Sequence, residues 1–589
     1  MAELVQPNDA SDTAQQAAVS TLPSKLEGET SPGVESLVPE GNLDERELQH
    51  GVLSAKAMVQ VLTRPQLILA YCMIWLIYFV LAFSSGIFTT LTPYVTSDFQ
   101  RHSLTATTTI VSSLIGGLFK LLYAKLIDVW GRQQGFALMV AVMTMGAIMM
   151  AACQNVQTYC AAQVFYNVGY NGVNFTLTIF IADTSSLRNR AFVIAYTGSC
   201  SLITAWIYGP AANSILRTIG FRWGFGLWAV VLPVTCFPLF VLLQCNQMQA
   251  EKAGLVPKRR GTLSWRQLVI YYCKEFDVFG LLLIATGLSL FLLSFSLYSY
   301  QEHGWNSLMI ICFIIIGFFL IIAFSLYEKF LAPVTFIPWD LLRNRTVLST
   351  FIMAGSFYTT VRLYSSYFYS FVIVVFRQTI TQTTYIQNIY TVGAGVWAMV
   401  LGVAFRYYGR VKWYALFFGI PLSMLGVGLL IHFRFDDTKA SYLVMCMIFI
   451  AFGGGTLYLT EQITLMAVSA QEHIPAVLAL EAMAIEIGEA VGGTIAAAIW
   501  TGVFPKKLME YLPPRALPDF LKIYGSLQIQ ASYPVGSPER IAIDHAYSDT
   551  QRLMLITSVC ILPISLISVL FWKNVDIKTM RKKDQGLLF

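Results

Sequence analysis

Fourteen runs of predominantly apolar residues, most of them 20 residues or longer, follow one another along the chain, and they leave little choice of fold. A bilayer's hydrocarbon core is about 30 Å thick, so a helix needs about 20 such residues to cross it. The runs lie at 67–92, 104–126, 135–153, 158–182, 191–215, 223–245, 277–300, 306–327, 346–375, 383–405, 413–433, 440–468, 475–503 and 552–572. Backbone groups in lipid must be bonded within their own segment, which favours helices. The expected fold class is an all-α polytopic membrane protein with about 14 transmembrane helices. Composition agrees: 12% of the 589 residues are charged, against about 25% in ordinary soluble domains. Such a chain is not a soluble enzyme, a disulfide-stapled secreted module or a disordered scaffold. The net charge of +6 sits in short loops between apolar runs and forms no basic stripe, so no nucleic-acid partner is expected. The ten cysteines form no CxxC pair and mostly lie inside apolar runs, as small hydrophobes do.

Residues 1–66 are polar, with ten acids in the first 50, and read as a disordered tail rather than a signal peptide. With the N-terminus inside, Lys125, Arg132, Arg188, Arg190, Arg406, Arg410, Lys412 and the basic C-terminal residues gather on one side. That bias places both termini in the cytoplasm. The resulting organisation is a six-helix half at 67–245, a cytoplasmic linker at 246–276 and two extra spans at 277–327. A second half at 346–572 includes a long outer loop at 504–551, and a cytoplasmic tail follows at 573–589.

An internal repeat supports the two halves. Ala124-x-x-x-Asp128-x-x-Gly131-Arg132 recurs as Gly402-x-x-x-Arg406-x-x-Gly409-Arg410, from 124 to 402, an offset of 278. A tight glycine turn brings two helices close, and a carboxylate at a helix end can pair with an arginine across the interface. Asp128, Gly131, Arg132, Arg406, Gly409 and Arg410 are therefore gating candidates. A helix cap with a basic inner anchor is the other reading. Transporters built from repeats hold their site at the repeat interface near the midplane.

Polar residues inside the spans mark where that site lies. Gln163, Asn167, Tyr170, Asn171, Asn174 and Thr178 share one face of the fourth span. Such a stripe faces protein or a wet cavity, since amides in lipid go unsatisfied; interhelical hydrogen bonding is the alternative. Tyr208 precedes Gly209-Pro210 in the fifth span. Tyr358, Arg362, Ser365 and Tyr369 share a face of the ninth. A mid-membrane arginine costs at least ~2.5 kcal/mol, so Arg362 is a functional candidate, or half of a structural pair with a buried Glu. Glu461, Glu481, Glu486 and Glu489 lie in the twelfth and thirteenth spans. A carboxyl out of water favours its protonated form, which makes Glu461, Glu486 and Glu489 candidates for proton coupling. Glu481 reads as structural, Lys120 as a residue reaching for the inner surface, and Asp183 as a partner for Arg188 or Arg190. There is no GxxxxGK[ST] phosphate loop, HExxH motif or paired Cys/His site, so no enzyme chemistry is expected.

Asp128-x-x-Gly131-Arg132 is similar to the signature loop of the major facilitator superfamily, with Ala124 and Val129 departing from its usual pattern. Ala182-Asp183-Thr184-Ser185-Ser186-Leu187-Arg188-Asn189-Arg190, the Phe221–Gly226 turn, Phe276-Asp277-Val278-Phe279-Gly280 and the outer loop ending in His545-Ala546-Tyr547 resemble the fungal siderophore–iron transporters. The resemblance implies a major facilitator fold of two six-helix halves plus two extra helices. It implies proton-coupled import of ferric siderophores, of triacetylfusarinine or ferrichrome type, by alternating access. Asn167, Tyr170, Asn171, Asn174, Tyr208, Tyr358, Arg362 and Tyr369 would contact the substrate, and the 504–551 loop would act as a lid with Tyr547 near its base. Iron would arrive already chelated, so no cofactor and no protein metal site is expected. The implied protein is a monomer in the plasma membrane, with an endosomal pool as an alternative. Phe165 stands where many proton-driven relatives carry an arginine, which shifts weight onto the glutamates. A fourteen-span drug–proton antiporter is the rival, favoured by the Gly209-Pro210 pair.

Overall fold

The computed structural model describes residues 50–98, 105–255, 277–298, 301, 303–331, 343–434, 439–470, 473–525 and 527–576. The rest of the tails and of the 246–276 linker lies outside the described residues. The long elements are helices: α1 (His50–Val61), α2 (Arg64–Asp98), α3 (Thr105–Trp130), α4 (Arg132–Ala152), α5 (Val156–Thr184), α6 (Leu187–Thr218) and α7 (Gly220–Lys252). Then come α8 (Val278–Leu297), α9 (Leu308–Phe330), α10 (Arg345–Ser365), α11 (Phe368–Val374) and α12 (Ile380–Tyr408). The series ends with α13 (Val411–His432), α14 (Ala440–Val468), α15 (Ile474–Tyr511), α16 (Phe520–Gly525), α17 (Leu527–Ser532) and α18 (Pro538–Leu570).

A helix lies at each of the fourteen expected runs. Nine of those described are long and apolar enough on their own to cross a bilayer, consistent with fourteen spans. α5, α10 and α15, which carry the asparagine stripe, Arg362 and three of the four glutamates, are outside that set, while Glu461 lies on α14 within it.

Local chemistry sets the ends. The Asn155 side chain accepts from Thr158 N to cap α5, Thr379 and Gln382 form a reciprocal capping box on α12, and Ser537 caps α18. The two copies of the repeat share a backbone device: Gly131 has φ 110° and Gly409 φ 67°. Both turns use a conformation that glycine adopts at little cost, so the repeat is visible in the backbone as well as the sequence.

The halves meet where α3 packs on α15 and where α6 packs on α12. The extra pair, α8 and α9, packs together, and α8 lies against both α3 and α15. Thr494 Oγ1 of α15 donates to Phe295 O of α8 at 3.0 Å. The extra helices thus brace the seam between the halves.

Three expectations fail here. The supposed tail is helical from His50, and α1 docks on α7, α3 and α5 through Ala55, Ala57 and Met58, all buried. The ninth span is not one rod: Tyr367 (φ −117°, ψ 9°) separates α10 from α11. The outer loop is shorter than 504–551, because α15 runs on to Tyr511 and α18 starts at Pro538. Phe504 and Leu508 drive that extension by packing with Ile523, Ile543 and Tyr547 in a separate apolar core. What remains holds a 3-10 turn (Pro514–Asp519), α16 and α17.

Candidate functional site

The carboxylates gather at the seam. Glu461 on α14 is fully buried, and Glu481 on α15 is 3% exposed. Glu486, one and a half turns further along α15, is half-buried, and Glu489 is exposed. Neither oxygen of Glu461 has a hydrogen bond of good geometry; Glu481 and the Tyr358 hydroxyl are the groups that act on it. Glu489 faces two cations, Arg362 from α10 and Lys120 from α3. Tyr390 of α12 faces Glu461 and Glu489, and Tyr458 of α14 faces Glu461 and Glu481. Five helices thus converge on one cluster of four carboxyls, two cations and three phenols.

Arg362 is exposed, and its stem runs over small residues: a Cβ on Gly493 would lie 3.7 Å from Arg362 Nε. Glycine at 492 and 493 leaves room for that stem. Three of the cluster's members, Arg362, Tyr458 and Glu489, are accessible to solvent, so the charges border open space rather than a sealed core.

On the first half, Asn167, Tyr170, Asn171, Asn174 and Thr178 are all half-buried along one face of α5. Asn171 Nδ2 donates to Asn167 O at 3.0 Å and Asn174 Nδ2 to Tyr170 O at 2.8 Å. These amides donate their Nδ2 protons within α5 itself. Gln163 leaves the stripe: it is buried and donates to Tyr159 Oη at 2.9 Å and to Thr92 Oγ1 at 3.3 Å. Tyr208 reaches across the halves, donating to Asn388 Oδ1 at 3.5 Å, while Asn388 Nδ2 donates to Ala205 O at 2.9 Å.

Tyr369 does not join Tyr358 and Arg362. The break at Tyr367 puts it out of register on α11, where it interacts with Thr384. Tyr547 is 2% exposed and donates to Gln530 Oε1 at 2.7 Å. Arg540 holds the same region, donating to Gln530 O at 2.7 Å, bonding Val374 O and pairing with Asp544 at 3.3 Å. The outer segment is therefore a cap fastened to the second half.

The signature loop carries a charge network. Arg132 pairs with Asp128 at 3.0 Å and with Asp183 at 3.1 Å. Asp183 thus pairs with Arg132 and also acts on Arg190, which donates to Ser185 O at 2.9 Å. This pairing stays inside the first half. Here the halves touch through Arg188 Nε, which donates to Arg406 O at 3.2 Å, and through Gly402, packed on Ala191 and Phe192. The side chains of Arg406 and Arg410 are exposed, and Arg410 bridges by backbone to Asp576.

A family model described as Major Facilitator Superfamily matches residues 74–333. An MFS siderochrome iron transporter of Ajellomyces capsulatus is 50% identical over 92% of this chain and 92% of its own length. The chain belongs to the siderophore iron transporter family of the major facilitator superfamily. The siderophore iron transporter mirB of Emericella nidulans is 37% identical over 95% of this chain and 93% of its own. Siderophore iron transporter 1 of Schizosaccharomyces pombe is 33% identical over 90% and 86%. Among solved structures, a bacterial homologue of the iron transporter ferroportin in an outward-facing state aligns with TM-score 0.52 and 8% identity, covering 85% of this chain and 99% of that one. That likeness shows the fold alone. Members of this superfamily are carriers and not enzymes.

For this member of the family, sequence reasoning missed Lys120, Glu481, Tyr390 and Tyr458 as parts of the cluster. Lys120 had a signal, since an ionisable residue inside a span is a functional candidate by default. The tyrosines had none, because aromatic residues at helical spacing look the same in a core and in a site. Among the described residues no group of three His, Cys, Asp or Glu is arranged to hold a metal ion.

Proposed function

We propose that this chain imports ferric siderophores by proton symport, as a monomer in the fungal plasma membrane with both termini cytoplasmic. Siderophore transport is what its relatives' names record. The observation that supports coupling is the cluster at the seam: Glu486 and Glu489 border accessible space and face cations from both halves. A carboxyl that alternates between a proton and a cation partner links proton binding to the relation of the halves. Glu486 and Glu489 are the exchanging sites. Among the described residues no cation faces Glu461, and an ionised carboxylate buried without one is costly, so it keeps its proton through the cycle.

The substrate class is ferric hydroxamate complexes of triacetylfusarinine or ferrichrome type. Such a complex offers amide N–H donors to the amide oxygens of Asn167, Asn171 and Asn174, and apolar rims to Tyr170, Tyr208 and Tyr358. Arg362 supplies a charged donor. The iron stays in its chelate and needs no protein ligand or cofactor. An inside-negative potential adds about 2.3 kcal/mol per charge per 100 mV.

The test is uptake of labelled ferric siderophores by iron-starved yeast lacking its own carriers, with and without a protonophore. Saturable uptake that the protonophore abolishes is expected. Absence of uptake from protein present at the surface, with protonophore-sensitive drug efflux instead, contradicts import and favours a drug–proton antiporter.

A further inference from the structure

Lys120 is one of the two cations that face the coupling carboxyls, and the scheme above leaves its part in the empty return unassigned. It stands ten residues before the end of α3 at Trp130, about 15 Å by helix rise, further than a lysine stem spans. It is half-buried and does not reach the surface. One turn earlier on the same face, a Cβ on Gly116 would lie 2.9 Å from Asn171 Nδ2 and 3.0 Å from Asn167 Cβ. Lys120 therefore begins where the asparagine stripe of the first half ends.

Its other neighbours are acids. Glu486, Glu489 and Glu481 of α15 all act on it, and among the described residues it forms no direct ion pair with them. Among the remaining elements packed on α3, α4 brings Arg132, which is paired with Asp128 and Asp183, and α2 carries its charged residues, Arg64 and Asp98, at its two ends. α8 contains no titratable side chain. α5 offers amides and phenols, and its one acid, Asp183, is held by Arg132 of α4. α1, with His50 and Lys56, meets α3 at the far end, beside Ile127 and Asp128.

A carrier must return empty. Once Glu486 and Glu489 have released their protons, the seam holds two anions. Enclosing an uncompensated ion costs several kcal/mol, and Arg362 of the second half answers one of them. Lys120 is the cation with which the first half answers the other. We propose that Lys120 is the return latch: with Glu486 and Glu489 deprotonated it pairs with α15 across the seam and carries the empty transporter back. When those carboxyls are protonated it lets go, freeing the halves to turn with substrate aboard. Each carboxyl takes its proton from outside and gives it up inside, while Lys120 stays charged throughout. This rests on the proton-symport reading.

The test uses the full-length chain in liposomes, comparing Lys120→Gln and Lys120→Arg with the parent. Two readouts are needed: exchange of labelled for unlabelled ferric hydroxamate, which needs no empty return, and net accumulation driven by a pH gradient. Lys120→Gln is expected to exchange within about twofold of the parent and to lose more than about tenfold in net accumulation. Lowering the pH on both sides with the gradient held constant re-protonates the carboxyls at the inner face and is expected to shrink that defect. Lys120→Arg keeps net accumulation. Parental net accumulation in Lys120→Gln overturns the latch, and so does a parallel loss of exchange and accumulation at every internal pH. If the parent itself shows no gradient-driven uptake, the symport reading falls first, and the latch with it.

Discussion

At the scale of single residues, each half contributes one kind of chemistry. The first half supplies amides on α5, and the second supplies carboxyls on α14 and α15 with Arg362 beside them. Glu489→Gln is expected to retain exchange and lose uphill accumulation; measured accumulation equal to the parent removes Glu489 from coupling. Glu461→Gln, which mimics the protonated acid, is expected to accumulate substrate within about threefold of the parent. Arg362→Ala removes a charged donor, and a hydrogen bond to a charged group is worth about 1.5 kcal/mol or more. It is therefore expected to raise the half-saturating siderophore concentration about tenfold, read from uptake kinetics. The glutamates, Arg362 and the stripe were legible in the sequence because charge and amides inside apolar runs stand out. Their grouping was not. Nothing in the spacing tells that Lys120 of α3 and Tyr390 of α12 face the same carboxyl of α15, since such neighbours are set by how distant helices pack.

At the scale of elements, the fourteen apolar runs were legible because each needs only length and hydrophobicity. Ends and breaks were not. Tyr367 interrupts a run that stays apolar to 375, and α15 continues past its membrane segment because Phe504 and Leu508 find an outer core. α1 escaped notice because twelve mixed residues make a helix only against a partner. That partner includes the signature loop: a Cβ on Gly51 would collide with the carbonyls of Ile127 and Asp128. Gly51→Leu is expected to push α1 off the loop and cost ~1–3 kcal/mol, seen as a lowered thermal midpoint in detergent. The outer cap depends on Arg540, which bonds Val374 O, Gln530 O and Asp544. Arg540→Ala breaks these bonds of a buried arginine and leaves Asp544 with Arg377 at 3.7 Å as a remaining cation; it is expected to cost about 3 kcal/mol, and proteolysis between 512 and 537 is the sensitive readout.

At the scale of the whole molecule, the repeat of the signature loop predicted two halves, and the paired glycine turns with positive φ agree with it. One hydrogen bond that joins the halves on that side runs from Arg188 to the carbonyl of Arg406. Cysteines at 188 and 406, joined by a short cross-linker, are expected to stop transport, and cleavage of the linker to restore it. Full transport with the link intact contradicts relative motion of the halves there. The seam of α3 and α15 bears the charges to which the proposed function assigns coupling, and it is braced by α8, so on that proposal motion and protonation are read out at the same surface. The most direct test of that account is gradient-driven accumulation of a labelled ferric hydroxamate by the purified chain in liposomes. An imposed inward proton gradient should concentrate the complex inside, and Glu489→Gln should exchange it without concentrating it. Equal accumulation with and without the gradient, or full accumulation by Glu489→Gln, would contradict it.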